Sequence, residues 1–150
     1  MTGQLAGLIM AAAMVMVFTF ALGTTPYFPV QVIGSLVVGK TALGGFHFPA
    51  FLAGLILHQA VASLAWSLVF GFAVNTLNAT GAAVAAIGLT VGVVSQIVDV
   101  ELLGSLLLPT LHGYDLWAAN VPEWASWASH VVFGLSFAFF PAIRKRMFPL

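Results

Sequence analysis

Four long apolar runs dominate the chain, separated by shorter stretches that carry most of the polar residues. The first extends from Leu5 to Leu22, with Thr19 as its only clearly polar member; the second from Ala50 to Val74, entered after Pro49; the third from Ala82 to Leu108, stopping at Pro109. The fourth extends from Ala125 to Ile143, entered after Pro122 and closed by Arg144, Lys145 and Arg146. About 20 residues rising ~1.5 Å each cross the hydrocarbon core of a bilayer, so each run predicts a transmembrane helix. The first lacks the cationic start of a signal peptide and is kept as a span. Strands of a membrane barrel alternate polar and apolar positions. These runs are apolar all round, the signature of helices in lipid.

The connections differ in kind. Asn75 to Thr80 is a short polar turn, which predicts a tight antiparallel hairpin of the second and third helices. Pro109 to Glu123 is longer and carries His112, Tyr114, Asp115 and Trp117. Between Tyr27 and Phe48 lies Val30 to Val38, apolar but too short to span, flanked by Pro26, Pro29, Lys40 and Gly44–Gly45. It reads equally as an interfacial or re-entrant segment and as an ordered apolar loop covered by another subunit. The expected fold is all-α: one integral membrane domain, a bundle of four transmembrane helices (about 5–22, 50–74, 82–108 and 125–143), with that apolar segment between the first two.

Composition sharpens this picture. The 150 residues are 61% hydrophobic and 5% charged, with four basic and four acidic side chains, against about 25% charged in ordinary soluble domains. Eight charges cannot solvate a globule of this size. Three of the four cations cluster at Arg144–Arg146, leaving no basic face for nucleic acid. With no cysteine there is no disulfide, thiolate metal site or cysteine nucleophile. The cationic tail after the fourth span reads as cytoplasmic. Four spans then put both termini on that side of a bacterial-type inner membrane, with Lys40, Asp115, Glu123 and a belt of Tyr114, Trp117, Trp124 and Trp127 on the other.

Ionisable groups inside the membrane are costly and default to functional candidates. His58 lies eight residues inside the second run, His130 five inside the fourth, and Asp99 nine before the end of the third. These offsets correspond to depths of about 12, 8 and 14 Å. Three helices thus contribute to one layer on the outer side of the membrane. Ser95, Gln96 and Asp99 share an α-helical face. Glu101, about 200° round an α-helix from Asp99, is expected to look elsewhere with Ser105, toward another element, a partner or the outer interface. Both histidines stand in rows of small residues, Ala50–Gly54–His58–Ala62 and Ser126–His130–Gly134–Ala138, and the third helix has Gly88 and Gly92. Such rows let backbones approach, and they would also make room for a flat macrocycle.

Three chemistries suit the layer. Ser95, Gln96, Asp99 and Glu101 with neutral histidines make a hydrogen-bonded polar network that fixes helix register. His58 and His130 could ligate haem b axially, or with Asp99 hold a Zn or Cu ion. The same three could relay protons in a small transporter or channel. His47 and His112 read as solvated loop histidines or members of a surface metal site, and Trp66 and Phe70 as lipid-facing or helix-contact aromatics. No catalytic motif is present. The expected role is a small subunit packing in the bilayer against other membrane subunits or copies of itself, in a larger and energy-converting complex. The alternatives are a haem or metal electron-transfer protein and a proton-coupled transporter.

Overall fold

The computed structural model describes residues 2–141. The cationic tail and the end of the fourth apolar run lie outside the described residues. The described chain is all-helical. Helix α1 covers Thr2–Ala21, α2 Phe28–Leu43, α3 Phe48–Thr76 and α4 Ala82–His112. Helix α5 covers Leu116–Asn120, and α6 covers Glu123–Ser136, followed by a 3-10 turn at Phe137–Phe139. Three of these, α1, α3 and α4, are long and apolar enough to cross a membrane, at 20, 29 and 31 residues.

The helices meet in a ring: α1 packs on α3 and α6, and α4 packs on the same two. Small residues set the contacts. A Cβ on Gly88 would stand 2.6 Å from Gly134 O, and one on Gly134 would stand 2.6 Å from Gly88 O and 3.1 Å from the Gly92 Cα. The α4 and α6 backbones therefore touch, running antiparallel. On the other flank Gly3 faces Ser67 and Gly7 faces Ser63, which sets α1 antiparallel to α3. At the end of the ring holding the α3–α4 turn, an aromatic core closes the interior. There Phe70 stacks on Phe137 with centroids 4.1 Å apart, and Phe133 meets Phe137 edge-on at 5.1 Å.

The apolar segment between the first two long helices is itself a helix, and the chain covers it. Pro29 at its start supplies the φ a helix needs. Val32 packs with Met14, Phe18, Val121 and Ala125 in a second core. Gly34 faces Ala50, and Gly54 faces Val30, so α2 doubles back against the first turns of α3. Gln31, 1% exposed, ties the connection: its Nε2 donates to Ala42 O (2.6 Å) and Gly45 O (2.8 Å), and its Oε1 accepts from His47 N–H (2.6 Å). The segment is thus a helix rather than a loop, packed within the chain along one side and exposed at Val37.

The two loop histidines also have structural partners. His47 caps α3, its Nδ1 accepting from Ala50 N–H at 3.2 Å. His112 ends α4, and its Nε2 meets Leu36 O at 3.0 Å, binding α4 to α2. The residue beside it, Gly39, has φ +70, and a Cβ there would come within 3.0 Å of His112 Nδ1, so both backbone and space select glycine.

Helix α4 does not stop at Pro109 but continues to His112, where Gly113 (φ +86) ends it. Three segments, Val17–Ala21, Ile56–Ala62 and Gln96–Gly104, are π-wound, with i→i+5 hydrogen bonding. Such rewinding changes which side chains share a face of the helix. The Ser105 hydroxyl, just beyond the third π segment, donates to Glu101 O.

Candidate functional site

A cavity of about 210 Å³ lies between the two cores and takes wall residues from all six helices. Met10 comes from α1; Val32, Ile33 and Leu36 from α2; Leu57, His58, Ala62, Ser63 and Trp66 from α3. Helix α4 supplies Ser95, Asp99 and a run of apolar residues from Val100 to Leu108, α5 supplies Trp117, and α6 supplies His130 and Phe133. The three ionisable residues of the expected layer, on three separate helices, therefore face one space. A second cavity of about 40 Å³ adjoins it, sharing Met10, Ile33, His58 and Trp117.

The π segments place two of these groups. His58 lies in Ile56–Ala62 and Asp99 in Gln96–Gly104. In a π segment residues five apart stack, so the helix presents a different set of side chains from that of an α-helix. Ser63 Oγ donates to His58 O, five residues back, at 2.9 Å. Gln96 Nε2 likewise donates to Glu101 Oε1, five residues on, at 3.0 Å. The expected grouping of Ser95, Gln96 and Asp99 on one face, with Glu101 apart, is corrected accordingly. Ser95 and Asp99 face the cavity, whereas fully buried Gln96 turns away to Glu101 and accepts from Ser126 Oγ at 2.8 Å. Glu101 is exposed on the outside of α4.

His130 is 5% exposed, and its Nδ1 lies 2.8 Å from Ser95 Oγ. The single hydroxyl proton of Ser95 goes to Gly92 O, at 2.8 Å. With that proton used, Ser95 accepts from His130 Nδ1–H, and in the neutral form of His130 this leaves the lone pair on Nε2. Asp99 Oδ2 accepts from the Trp66 indole N–H at 2.7 Å. Trp117, another wall residue, keeps its indole N–H buried with no acceptor among the described residues. The site thus brings the His130 imidazole and the Asp99 carboxylate together within apolar walls.

Of the two readings of Trp66 the helix-contact one applies, since its indole holds Asp99 of α4; Trp117, expected in the outer belt with Tyr114 and Trp124, instead walls the cavity. The local signal for Trp117 was there: Asp115 caps α5 by accepting from Ala118 N–H at 2.9 Å, and an N-cap followed by a short apolar helix turns one face inward. Phe70, the other aromatic, is 2% exposed in the core. Ala138 also leaves its expected row, lying exposed because the helix tightens into a 3-10 turn there.

The small-residue rows do not leave space for a macrocycle. Helix α2 fills the row at Ala50 and Gly54, and α4 fills the row at Gly134. An apolar cavity of about 150 Å³ takes up benzene, so the present cavity of about 210 Å³ suits a single substituted ring. A haem needs several times that room. Among the described residues no three His, Asp or Glu side chains are grouped to hold a metal ion, and Asp99 and His130 are turned to Trp66 and Ser95 instead. The chain matches no family model, no curated protein and no solved structure.

Proposed function

We propose that this protein is an integral membrane protein of four spanning helices, α6 being the fourth, that binds a small lipid-soluble molecule in the cavity and exchanges protons with it. The convergence of His58, Asp99 and His130 from three helices on one apolar-walled space carries this reading. Ionisable groups are expensive at membrane depth and mark proton relays and ligand paths, and histidine is the side chain suited to exchanging a proton near neutral pH. The cationic tail puts both termini on the cytoplasmic side, so the cavity opens in the outer half of the bilayer. The room available favours a ring-sized ligand over haem b, and the absence of a three-ligand group among the described residues disfavours Zn or Cu. Assembly with other subunits is compatible with this site and is read out by mild-detergent purification, where stoichiometric partner chains are the supporting result.

The decisive measurement is proton uptake or release by the protein in lipid nanodiscs as a lipid-soluble ring compound is added, followed with a pH-sensitive dye. The wild type is expected to exceed empty nanodiscs, and Asp99→Asn and His130→Ala to lower the excess at least tenfold. A wild-type signal equal to that of empty nanodiscs, or one unchanged in both variants, overturns the reading.

A further inference from the structure

Glu101 is an ionisable residue within a membrane-length helix that the cavity does not use. It is exposed on the outside of α4, eleven residues before the helix end at His112, which is about 15 Å along the axis. Exposed Leu106 and Leu111 keep that last stretch apolar, so the short glutamate side chain does not reach the aqueous interface. The fold nevertheless holds the carboxylate in place. Gln96, fully buried, donates from Nε2 to Glu101 Oε1 at 3.0 Å, and Gln96 is itself oriented by Ser126 of α6, whose hydroxyl donates to Gln96 Oε1 at 2.8 Å. On an α-helix residues five apart point about 140° apart; the π winding of Gln96–Gly104 brings these two together. The Gln96 donor fixes Oε1 as an acceptor, and the other oxygen of Glu101 has no hydrogen-bond partner among the described residues.

A carboxylate presented to hydrocarbon is costly unless a cation or donor meets it. Around Glu101 the surface is made for contact with a helix: Ile97, Leu102 and Leu106 are exposed, and exposed Ser105 is a small residue at which a neighbouring backbone can come close. We propose that this face of α4 seats a transmembrane helix of a different chain, one that carries a lysine or arginine opposite Glu101. Charge selects this occupant. A second copy of the chain has no cation to offer at this depth among the described residues: Lys40, their one Lys or Arg, follows Gly39, which packs on His112, and so stands at the end of α4. A pair of copies meeting on this face would instead set Glu101 against Glu101. The amines of lipid headgroups lie at the interface, outside the hydrocarbon. A basic side chain on a neighbouring span supplies the charge and the donor together, and pairing of this kind is how ionisable groups are accommodated within membranes. Nothing on this face depends on what the cavity binds.

The test is photo-crosslinking of the full-length protein in the membranes of the cell that makes it. Benzoylphenylalanine is placed at Leu102 or, in a second preparation, at Leu106, and the peptides crosslinked on irradiation are identified by mass spectrometry. The expected product joins α4 to an apolar span of another chain, with Lys or Arg within one helical turn of the crosslink. Glu101→Gln, with an unchanged detergent melt to show that it folds, is expected to lower that product at least tenfold. Replacing the partner's basic residue by methionine is expected to do the same. Glu123→Gln, which removes an exposed acid at the start of α6, is expected to leave the product within twofold. Crosslinks to a second copy, to lipid alone or to a span without a basic residue overturn the proposal. So does a product that survives Glu101→Gln, or one lost equally in Glu123→Gln.

Discussion

The two halves of the α3–α4 hairpin are built from the same apolar alphabet and do opposite things. Toward the turn, regular α-helix presents constant faces, glycines admit the neighbouring backbone at Gly88 and Gly134, and Phe70, Phe133 and Phe137 fill the centre. Toward the other end, Ile56–Ala62 and Gln96–Gly104 are π-wound, and the interior holds a cavity, two histidines, a carboxylate and an unpaired indole N–H. Hydrophobicity does not distinguish the halves; backbone hydrogen-bond register does. A dry half with close backbone contact provides stiffness, and a rewound half stores polar groups that a well-packed core would exclude. π segments in helices are frequently found at functional sites, and here two of them face one another across the candidate site.

This contrast can be broken from either side, and the expected effects fall in order. Phe70→Ala removes the centre of the dry core and is expected to cost about 3–5 kcal/mol, read as loss of folded protein in detergent melts. Gly134→Val forces a side chain into the α4 backbone and is expected to cost about 3 kcal/mol, the upper end of overpacking costs, by the same measurement. In the cavity half, a double-mutant cycle of Trp66→Phe and Asp99→Leu is expected to return a coupling of about 2 kcal/mol, the size of a hydrogen bond to a charged group. A coupling near zero would mean that the indole does not hold the carboxylate. Ala62→Leu fills the cavity and is expected to change stability by less than about 1.5 kcal/mol while lowering ligand-linked proton exchange more than any dry-half substitution that still folds. Leu107→Ala, at the rim, is expected to shift stability by no more than about 0.5 kcal/mol. If Ala62→Leu proves as destabilising as Phe70→Ala, the distinction between a packed half and a storage half fails.

Much of the fold was legible in the pattern of runs. The expected spans near 50–74 and 82–108 correspond to Phe48–Thr76 and Ala82–His112, because apolar length reports directly on what a bilayer requires. Pro109 misled at one boundary, because a proline after an apolar run is read as a helix end, whereas here the helix runs on to His112 and stops at Gly113. The segment from Val30 to Val38 was seen as apolar and short but not as a helix seated in the fold, because its partners, Met14, Phe18, Ala50 and Gly54, lie on other elements. In the site, His58, Asp99 and His130 stood out because ionisable residues are rare in apolar runs. Trp66 and Trp117 did not, because aromatic residues are common in such runs and only their tertiary neighbours, Asp99 for one and the cavity wall for the other, give them a role.

The sequence by itself determined that the chain is helical and made for lipid, since 5% charge and four long apolar runs admit little else. It also singled out the three ionisable groups, since charged and titratable side chains are rare in apolar runs. Only the tertiary structure decided their direction and their company. Residue spacing converts to an angle only if the winding is known, and π winding, which hydropathy does not encode, turned Gln96 toward Glu101 and left Asp99 with Trp66. The cavity exists on no single helix; it is the space left where six helices meet, and no reading of any one of them contains it.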